Sequence, residues 1–303
     1  MKEKLIDYIL DELKLNRWID QQVKQSDYDK IKGVLILRDG ERLAERYYNG
    51  GNASSRYPLE EISYFIVALL VGAAIDRRVL RSVEVSISDH LPEFRRQHFT
   101  LYHRIKVKHL LTMSSGIEYG DDMTKIISKD PICNLSDEAI SQIIKLPLAE
   151  VPGLHYKYKK VDIIILCCLL ENVLGYSLRE FCNDVLLAPL NIDASCSKDD
   201  QEMLLNVRDI AKLGQLVLQN GMWENRKIIN VGFIRDMITP SKPNRDFGYQ
   251  TRLYPYGYGV CNRNGSQIIV FPQEKLVGVI MAEKSVVPRY YGGIVSGILD
   301  FLH

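Results

Sequence analysis

Two rhythms of apolar and polar residues run through the chain, one near its ends and another through its middle. Gly33-Val-Leu-Ile-Leu-Arg-Asp-Gly40 is a short apolar run closed by Asp-Gly, and Glu41-Arg-Leu-Ala-Glu-Arg-Tyr-Tyr48 follows with partial alternation. That pattern predicts a β-hairpin. The C-terminal third returns to it. Gly257 to Cys261 and Gln267 to Phe271 flank Asn264-Gly265, a two-residue hairpin signal, and Leu276 to Ala282 reads as a further strand.

Between these ends the period lengthens. Ile62 to Ile75 is too long and too uniformly apolar for one strand, so a buried helix is predicted there. Shorter helices are predicted at Val107 to Met113 and, after the cap candidates Asn134 and Ser136, at Ser136 to Lys145. Val161 to Leu174 and Ser177 to Leu187 form two more, separated by Gly175. Asn206 to Gly221 carries apolar residues at 210, 213, 216 and 217 and closes on Asn-Gly, an amphipathic helix with its stop signal. Leu5, Ile9, Leu10 and Leu13 suggest an N-terminal amphipathic helix, and Gly292 to Leu302 a closing one. Strands at both ends and helices between them predict an α+β fold. One antiparallel sheet is built from both termini, helices cover it and a helical insertion lies beside it.

Composition narrows the classes of function. Of 303 residues, 46% are hydrophobic and 25% charged, an ordinary globular balance. Lys+Arg number 39 against 38 Asp+Glu, a net charge of +1, so no basic field attracts nucleic acid or anionic lipid. Charges interrupt every apolar run of the N-terminus, which therefore lacks a signal-peptide core. Asp162 and Glu171-Asn172 break the apolar stretch 161–170 well short of the roughly 20 residues of a membrane span. Neither a nucleic-acid nor a membrane partner is expected. The six cysteines, Cys133, Cys167, Cys168, Cys182, Cys196 and Cys261, form no C-x-x-C and pair with no His at ligand spacing. Buried free thiols, no metal, no cofactor and a cytoplasmic location are the expectation.

Several segments, in order, carry a family likeness. Tyr57-Pro-Leu-Glu-Glu-Ile-Ser-Tyr-Phe-Ile-Val-Ala-Leu-Leu-Val-Gly-Ala-Ala-Ile-Asp76 resembles the nucleophile helix of serine β-lactamases, penicillin-binding proteins and related esterases. Ile105-Lys-Val-Lys-His-Leu-Leu-Thr-Met-Ser-Ser-Gly-Ile117 resembles the family's HLLTHTSG stretch, and Val151-Pro-Gly-Leu-His-Tyr-Lys-Tyr-Lys-Lys160 the segment that holds its Y-x-N motif. Leu187-Ala-Pro-Leu-Asn191, the helix from Arg208, and Tyr256-Gly-Tyr-Gly259 with the hairpin beyond it complete the likeness. The resemblance implies a β-lactamase/transpeptidase-like α/β fold, read as a single domain over 1–303 with a helical subdomain inserted at about 80–205.

The resemblance also assigns catalytic positions, one at a time. In the family a Ser opens the nucleophile helix and a Lys one turn later takes its proton. Counting back from Gly72-Ala-Ala-Ile-Asp76, the Ser position falls on Glu61 and the Lys position on Tyr64. The Tyr of Y-x-N is kept as Tyr158, but its Asn is Lys160. The family's third motif, on the strand before the hairpin, reads Gly259-Val-Cys-Asn262 here, which brings Cys261 and Asn262 to the expected binding cleft. His155, in the Y-x-N segment, is a further cleft candidate.

Glu61 is a poor acyl carrier, because attack through a carboxylate yields a mixed anhydride. Read structurally, Pro58 suits the first helical turn, and Glu60 and Glu61 complement the helix dipole. Ser→Glu and Asn→Lys together suggest a Glu61–Lys160 ion pair across the old oxyanion region. Ser63 has Ile66 three residues on and no base, so its hydroxyl is expected to face its own backbone. Ser195-Cys-Ser-Lys198 is a formal S-x-x-K in a loop and reads as chance; His109 reads as a satisfied helix histidine.

These substitutions predict a pseudoenzyme: a member of the family without the Ser-x-x-Lys machinery, whose cleft binds a small molecule, peptide or protein partner. One rival is a divergent hydrolase or acid/base enzyme using Glu61, Tyr64 and Tyr158. Another is a scaffold with a closed cleft.

Overall fold

The computed structural model describes residues 2–24, 29–95, 101–118, 130–133, 135, 137–198 and 202–283, with isolated positions near the C-terminus. In chain order its principal elements are α1 (Lys2–Val23), β1 (Ile31–Arg38), β2 (Glu41–Tyr47), α2 (Ile62–Asp76), α3 (Val107–Leu111), α4 (Lys160–Leu174), α5 (Leu178–Cys182), α6 (Val207–Leu218), α7 (Val231–Met237), β3 (Gly257–Cys261), β4 (Gln267–Phe271) and β5 (Leu276–Ala282). They fall into two units. The first comprises residues 1–57, 205–218 and 255–303, the second residues 58–204 and 219–254.

The first unit is the sheet predicted from the two ends of the chain. Its strands lie in the order β2-β1-β5-β4-β3, and the β1–β2, β1–β5, β4–β5 and β3–β4 pairs are antiparallel. The N-terminal hairpin turns at Asp39 and Gly40, with φ of 53° and 82°. Both values are positive, as a primed two-residue turn requires, and Asp-Gly is the dipeptide that tolerates them. Helix α6 covers β5 and β4 with Ile210, Leu213, Leu216 and Val217, all fully buried as their spacing predicts. Asn206 caps it by accepting the Asp209 amide at 2.9 Å. At Gly214 a Cβ would stand 2.8 Å from Ile268 Cγ2 and Val277 Cγ1, so the helix lies against the sheet at glycine distance.

Two details differ from expectation. Helix α1 extends to Val23 and buries Leu15, Ile19 and Val23, while Leu13 is 49% exposed. The apolar stripe runs through the second half of the helix, beyond the residues that suggested it; the side chains of Leu5, Ile9 and Leu10 lie outside the described residues. The second hairpin does not close on Asn264-Gly265. Its last ladder pair is Cys261↔Gln267, and Asn262 organises the longer loop. Asn262 Oδ1 accepts the amides of Asn264 (3.0 Å) and Ser266 (2.9 Å), and its own amide donates to Ser266 O. A side chain that holds two loop amides outweighs a dipeptide preference. The closing helix expected at 292–302 lies largely outside the described residues.

The second unit is helical and is built around α2. Ile62 to Ala74 are all buried, so this helix has no solvent face and its apolarity follows from position. It rests on α4 and α7; at Gly72 a Cβ would come within 2.6 Å of the Phe233 ring. Helix α4 buries Val161 to Leu170 and ends at Gly175, whose φ of 76° forms the left-handed cap. Ser195 and Cys196 form a short strand paired with Leu204 and Met203. An extended Ser195 cannot sit one helical turn from Lys198, which accords with reading that S-x-x-K as chance.

The cysteine expectation is corrected at two positions. Cys133 and Cys196 form a disulfide, 63 residues apart in sequence, while Cys167, Cys168 and Cys182 are buried thiols. Sequence spacing carried no trace of the pair, because the two cysteines meet through the fold of the unit and lie in no local motif. Among the described residues no single helix is long and apolar enough to cross a membrane.

Candidate functional site

The start of α2 sets the geometry. Leu59 N donates to Met203 O at 3.1 Å, anchoring the approach, and Glu60 takes a left-handed φ of 49° before the helix begins at Ile62. A non-glycine residue there costs on the order of 1–2 kcal/mol, held by the packing around it. Pro58 therefore precedes the helix and does not open its first turn. Glu61 is the N-cap residue, with φ −65° and ψ −16°, yet its side chain makes no capping bond. The expected dipole role is thus reduced to proximity: the carboxylate stands at the helix start without holding an amide. Ser63 turns back on the backbone as expected, its hydroxyl donating to Glu60 O at 2.7 Å.

One turn on, Tyr64 is buried and its ring lies 6.4 Å from that of Tyr158, tilted by 30°. The two side chains are hydrogen-bonded. Burial pushes the Tyr158 phenol far above its usual value, and Tyr64, the Glu61 charge and Tyr156 push it further the same way. Tyr158 is therefore a neutral phenol, although the residue as a whole is 49% exposed.

Lys160 sits at the start of α4. Burial lowers its ammonium, and the carboxylates of Asp130 and then Glu61 pull it back up. Of the two carboxylates, Asp130 exerts the larger attraction on Lys160, and Glu61, the partner expected from sequence, the smaller. Asp130 is 5% exposed, accepts the Ile132 amide at 3.0 Å through Oδ1, and has its carboxyl raised by burial. A buried carboxylate at this point was missed because nothing in Lys-Asp130-Pro marks it; only the fold brings it to Lys160.

A second polar cluster was also missed. Lys159, 1% exposed, donates to Ile117 O at 3.1 Å and stands 4.0 Å from Asp162. Asp162 accepts the Ser115 hydroxyl at 2.5 Å, and burial raises its carboxyl to about 7 against the opposing pull of Lys159 and Ser115. The charge that interrupts the apolar run of α4 was the available signal, since a charge in an apolar run must find partners.

The remaining candidates have surroundings of their own. His155 is exposed and meets Glu150 at 3.1 Å. Cys261 and Asn262 belong to the sheet unit, where Cys261 carries a half-buried thiol and Asn262 shapes the hairpin loop. His109 Nδ1 accepts the Lys106 amide at 3.1 Å, and burial beside Lys108 and Lys106 lowers it to about 4, so it is neutral. Among the described residues no group of His, Cys, Asp and Glu could hold a metal ion.

The arrangement of a central buried helix, its Y-x-x segment and an antiparallel sheet from both termini defines the class. The chain belongs to the beta-lactamase family, whose profile matches residues 15–202. Over 169 residues it is 21% identical to protein flp of Staphylococcus aureus, an alignment that covers 52% of this chain and 33% of flp. The chain thus spans about a third of the length of that curated relative. Among solved structures it resembles EstCE1, a hydrolase with promiscuous acyltransferase activity, at TM-score 0.76 and 16% identity, covering 97% of this chain and 98% of EstCE1. It also resembles a penicillin-binding protein from Bacillus halodurans, at TM-score 0.69 and 16% identity, covering 91% and 97%. These likenesses define the β-lactamase/transpeptidase-like fold.

Proposed function

We propose that this chain is a β-lactamase-family protein without acyl-enzyme chemistry, whose inherited site binds a ligand. One observation carries the reading. Where the family places a Ser and a Lys, this chain has Glu61 and Tyr64, and the Tyr64 ring lies 6.4 Å from that of Tyr158, a neutral phenol. Family chemistry needs a hydroxyl nucleophile and a base that accepts its proton. A carboxylate has no proton to give, and a phenol is a poor substitute for the amine that takes it.

The upward shift of Tyr158 weighs against the rival acid/base enzyme, because an effective catalyst is tuned toward the working pH and this phenol moves away from it. A filled, purely structural cleft is disfavoured by the 49% exposure of Tyr158 and the partial exposure of Glu61. Small molecules and short peptides fit an exposed aromatic face beside a carboxylate. A protein partner is the remaining proposal for the occupant, and nucleic acid and membrane are not proposed. The thiol argument for a cytoplasmic location is weakened by the Cys133–Cys196 bond, since disulfides persist in oxidising compartments.

The test is turnover of a p-nitrophenyl ester and of a chromogenic cephalosporin. The expected rates equal buffer alone, and Glu61→Gln and Tyr158→Phe variants leave them unchanged. A measurable turnover abolished by both substitutions would promote acid/base chemistry to first place.

A further inference from the structure

The fold treats its cysteines in two ways. Cys167, Cys168 and Cys182 are buried thiols, and burial pushes the thiols of Cys167 and Cys182 far above their usual value. Neither supplies a thiolate near neutral pH to attack a neighbouring bond. The disulfide pair is placed otherwise. Cys133 and Cys196 are both half-buried, and Cys196 stands in the wall of a cavity of about 750 Å³ within the helical unit. An accessible disulfide is the kind that thiols open, whereas a sealed one waits for the chain to unfold.

The bond also ties together two pieces of structure. On one side the Cys133 amide donates to Asp130 O at 3.1 Å and the Ile132 amide to Asp130 Oδ1 at 3.0 Å, which closes a tight turn. On the other, Ser195 and Cys196 pair with Leu204 and Met203, and Met203 O accepts the Leu59 amide at 3.1 Å. Leu59 is fully buried and lies just before Glu60, Glu61 and the start of α2. A strand pair and a hydrogen bond therefore connect Cys196 to the approach of that helix.

We infer that the Cys133–Cys196 bond is a thiol-exchange switch: a dithiol reductant enters the cavity, opens the bond and thereby loosens the approach to α2. A thiolate of the reductant attacks Sγ of Cys196, forms a mixed disulfide there and expels the Cys133 thiolate. The reductant's second thiol then displaces Cys196 and closes its own disulfide. Two electrons pass from the dithiol to the protein, and the two protons it loses end on Cys133 and Cys196. Glu180, Asp184 and Asp193, set against Arg179, leave the cavity wall with an excess of negative charge, so a cationic or neutral thiol is favoured over an anionic one. The switch operates whether or not the site at α2 turns a substrate over, and so goes beyond the proposed binding role.

In the test, the native chain is incubated with dithiothreitol, quenched with N-ethylmaleimide and mapped by mass spectrometry. Cys133 and Cys196 are expected to be labelled together while Cys167, Cys168 and Cys182 stay protected. The rate should rise in proportion to dithiothreitol and stay level in low urea, as attack on the folded chain requires. Three monothiols then probe the cavity, each rate being taken relative to that reagent's rate with a small neutral disulfide. At low ionic strength cysteamine should react about two- to fivefold faster than 2-mercaptoethanol, and 3-mercaptopropionate more slowly than either. Amide exchange at Leu59 should quicken about tenfold on reduction, while α6 in the other unit keeps its protection. In a Cys133→Ser/Cys196→Ser chain, Leu59 should exchange at the faster rate with or without reductant.

A rate that stops rising with dithiothreitol, or climbs steeply with urea, means that the bond opens only in the unfolded chain and overturns the switch. Labelling of the buried thiols in step with Cys133 and Cys196 does the same. A charge series without the expected order overturns entry through the cavity, and an unchanged Leu59 overturns the link to α2. Loss of the cooperative melting transition on reduction would show a bond that only holds the fold together, and no switch at all.

Discussion

Asp162 shows how one residue can report on the whole helical unit. Its carboxyl is raised to about 7, first by burial, so the native chain holds a proton that an unfolded Asp, with an ordinary value of 3.8, has released. A raised folded pKa contributes stability that is complete below the unfolded value and is lost as pH rises through the folded one. Stability is therefore expected to fall between about pH 4 and pH 7 on this account. In Asp162→Asn, which stays neutral, thermal melting across that window should flatten; an unchanged slope would show that Asp162 ionises normally. Asp130 makes a contrasting prediction. Asp130→Asn leaves the Lys160 ammonium buried without its main counter-charge, and breaking such a pair costs about 3 kcal/mol. Chemical denaturation should show that loss, with Lys160→Met restoring much of it in the double variant.

At the scale of elements, α6 and the disulfide are the clearest levers. Gly214→Ala gains about 1 kcal/mol of helix propensity but forces a Cβ to 2.8 Å from Ile268 and Val277, an overpacking worth roughly 1–3 kcal/mol. Net destabilisation is expected, read as a lower denaturation midpoint; a stabilised variant would mean that helix and sheet separate more easily than their packing implies. The Cys133–Cys196 bond closes 63 residues, for which chain entropy gives about 4 kcal/mol. Cys196→Ala should lower stability by an amount of that order, and thiol counting on the native chain under denaturing, non-reducing conditions should find four reactive cysteines of its six.

Element scale is also where sequence and structure part. The buried helix at 62–76 and the stripe at 210, 213, 216 and 217 were legible because period and apolarity are local properties of the chain. The Asp-Gly turn was legible for the same reason. The disulfide, the Asn262 loop and the Asp130–Lys160 neighbourhood were not, since each depends on residues that meet only after folding. At the site, motif spacing found Glu61, Tyr64 and Tyr158, and those three do come together. Spacing could not show that Lys160 faces Asp130 more strongly than Glu61, because charge pairing is decided by burial and distance.

For the whole molecule, membership of the beta-lactamase family and absence of its chemistry are separate statements. The family profile and the sheet-plus-helix architecture establish the first. The second is a proposal that rests on how three serines of the helical unit are held: Ser63 donates to Glu60 O, Ser114 meets His109 O and Thr112, and Ser115, which donates to Asp162, is wholly buried. Intact-protein mass spectrometry after incubation with a fluorophosphonate, and separately with a penicillin, tests this most directly. The account predicts an unchanged mass with both reagents, in the native chain and in Tyr158→Phe alike. A stoichiometric adduct mapped to a serine of the helical unit would contradict it and make the protein an acyl-enzyme former.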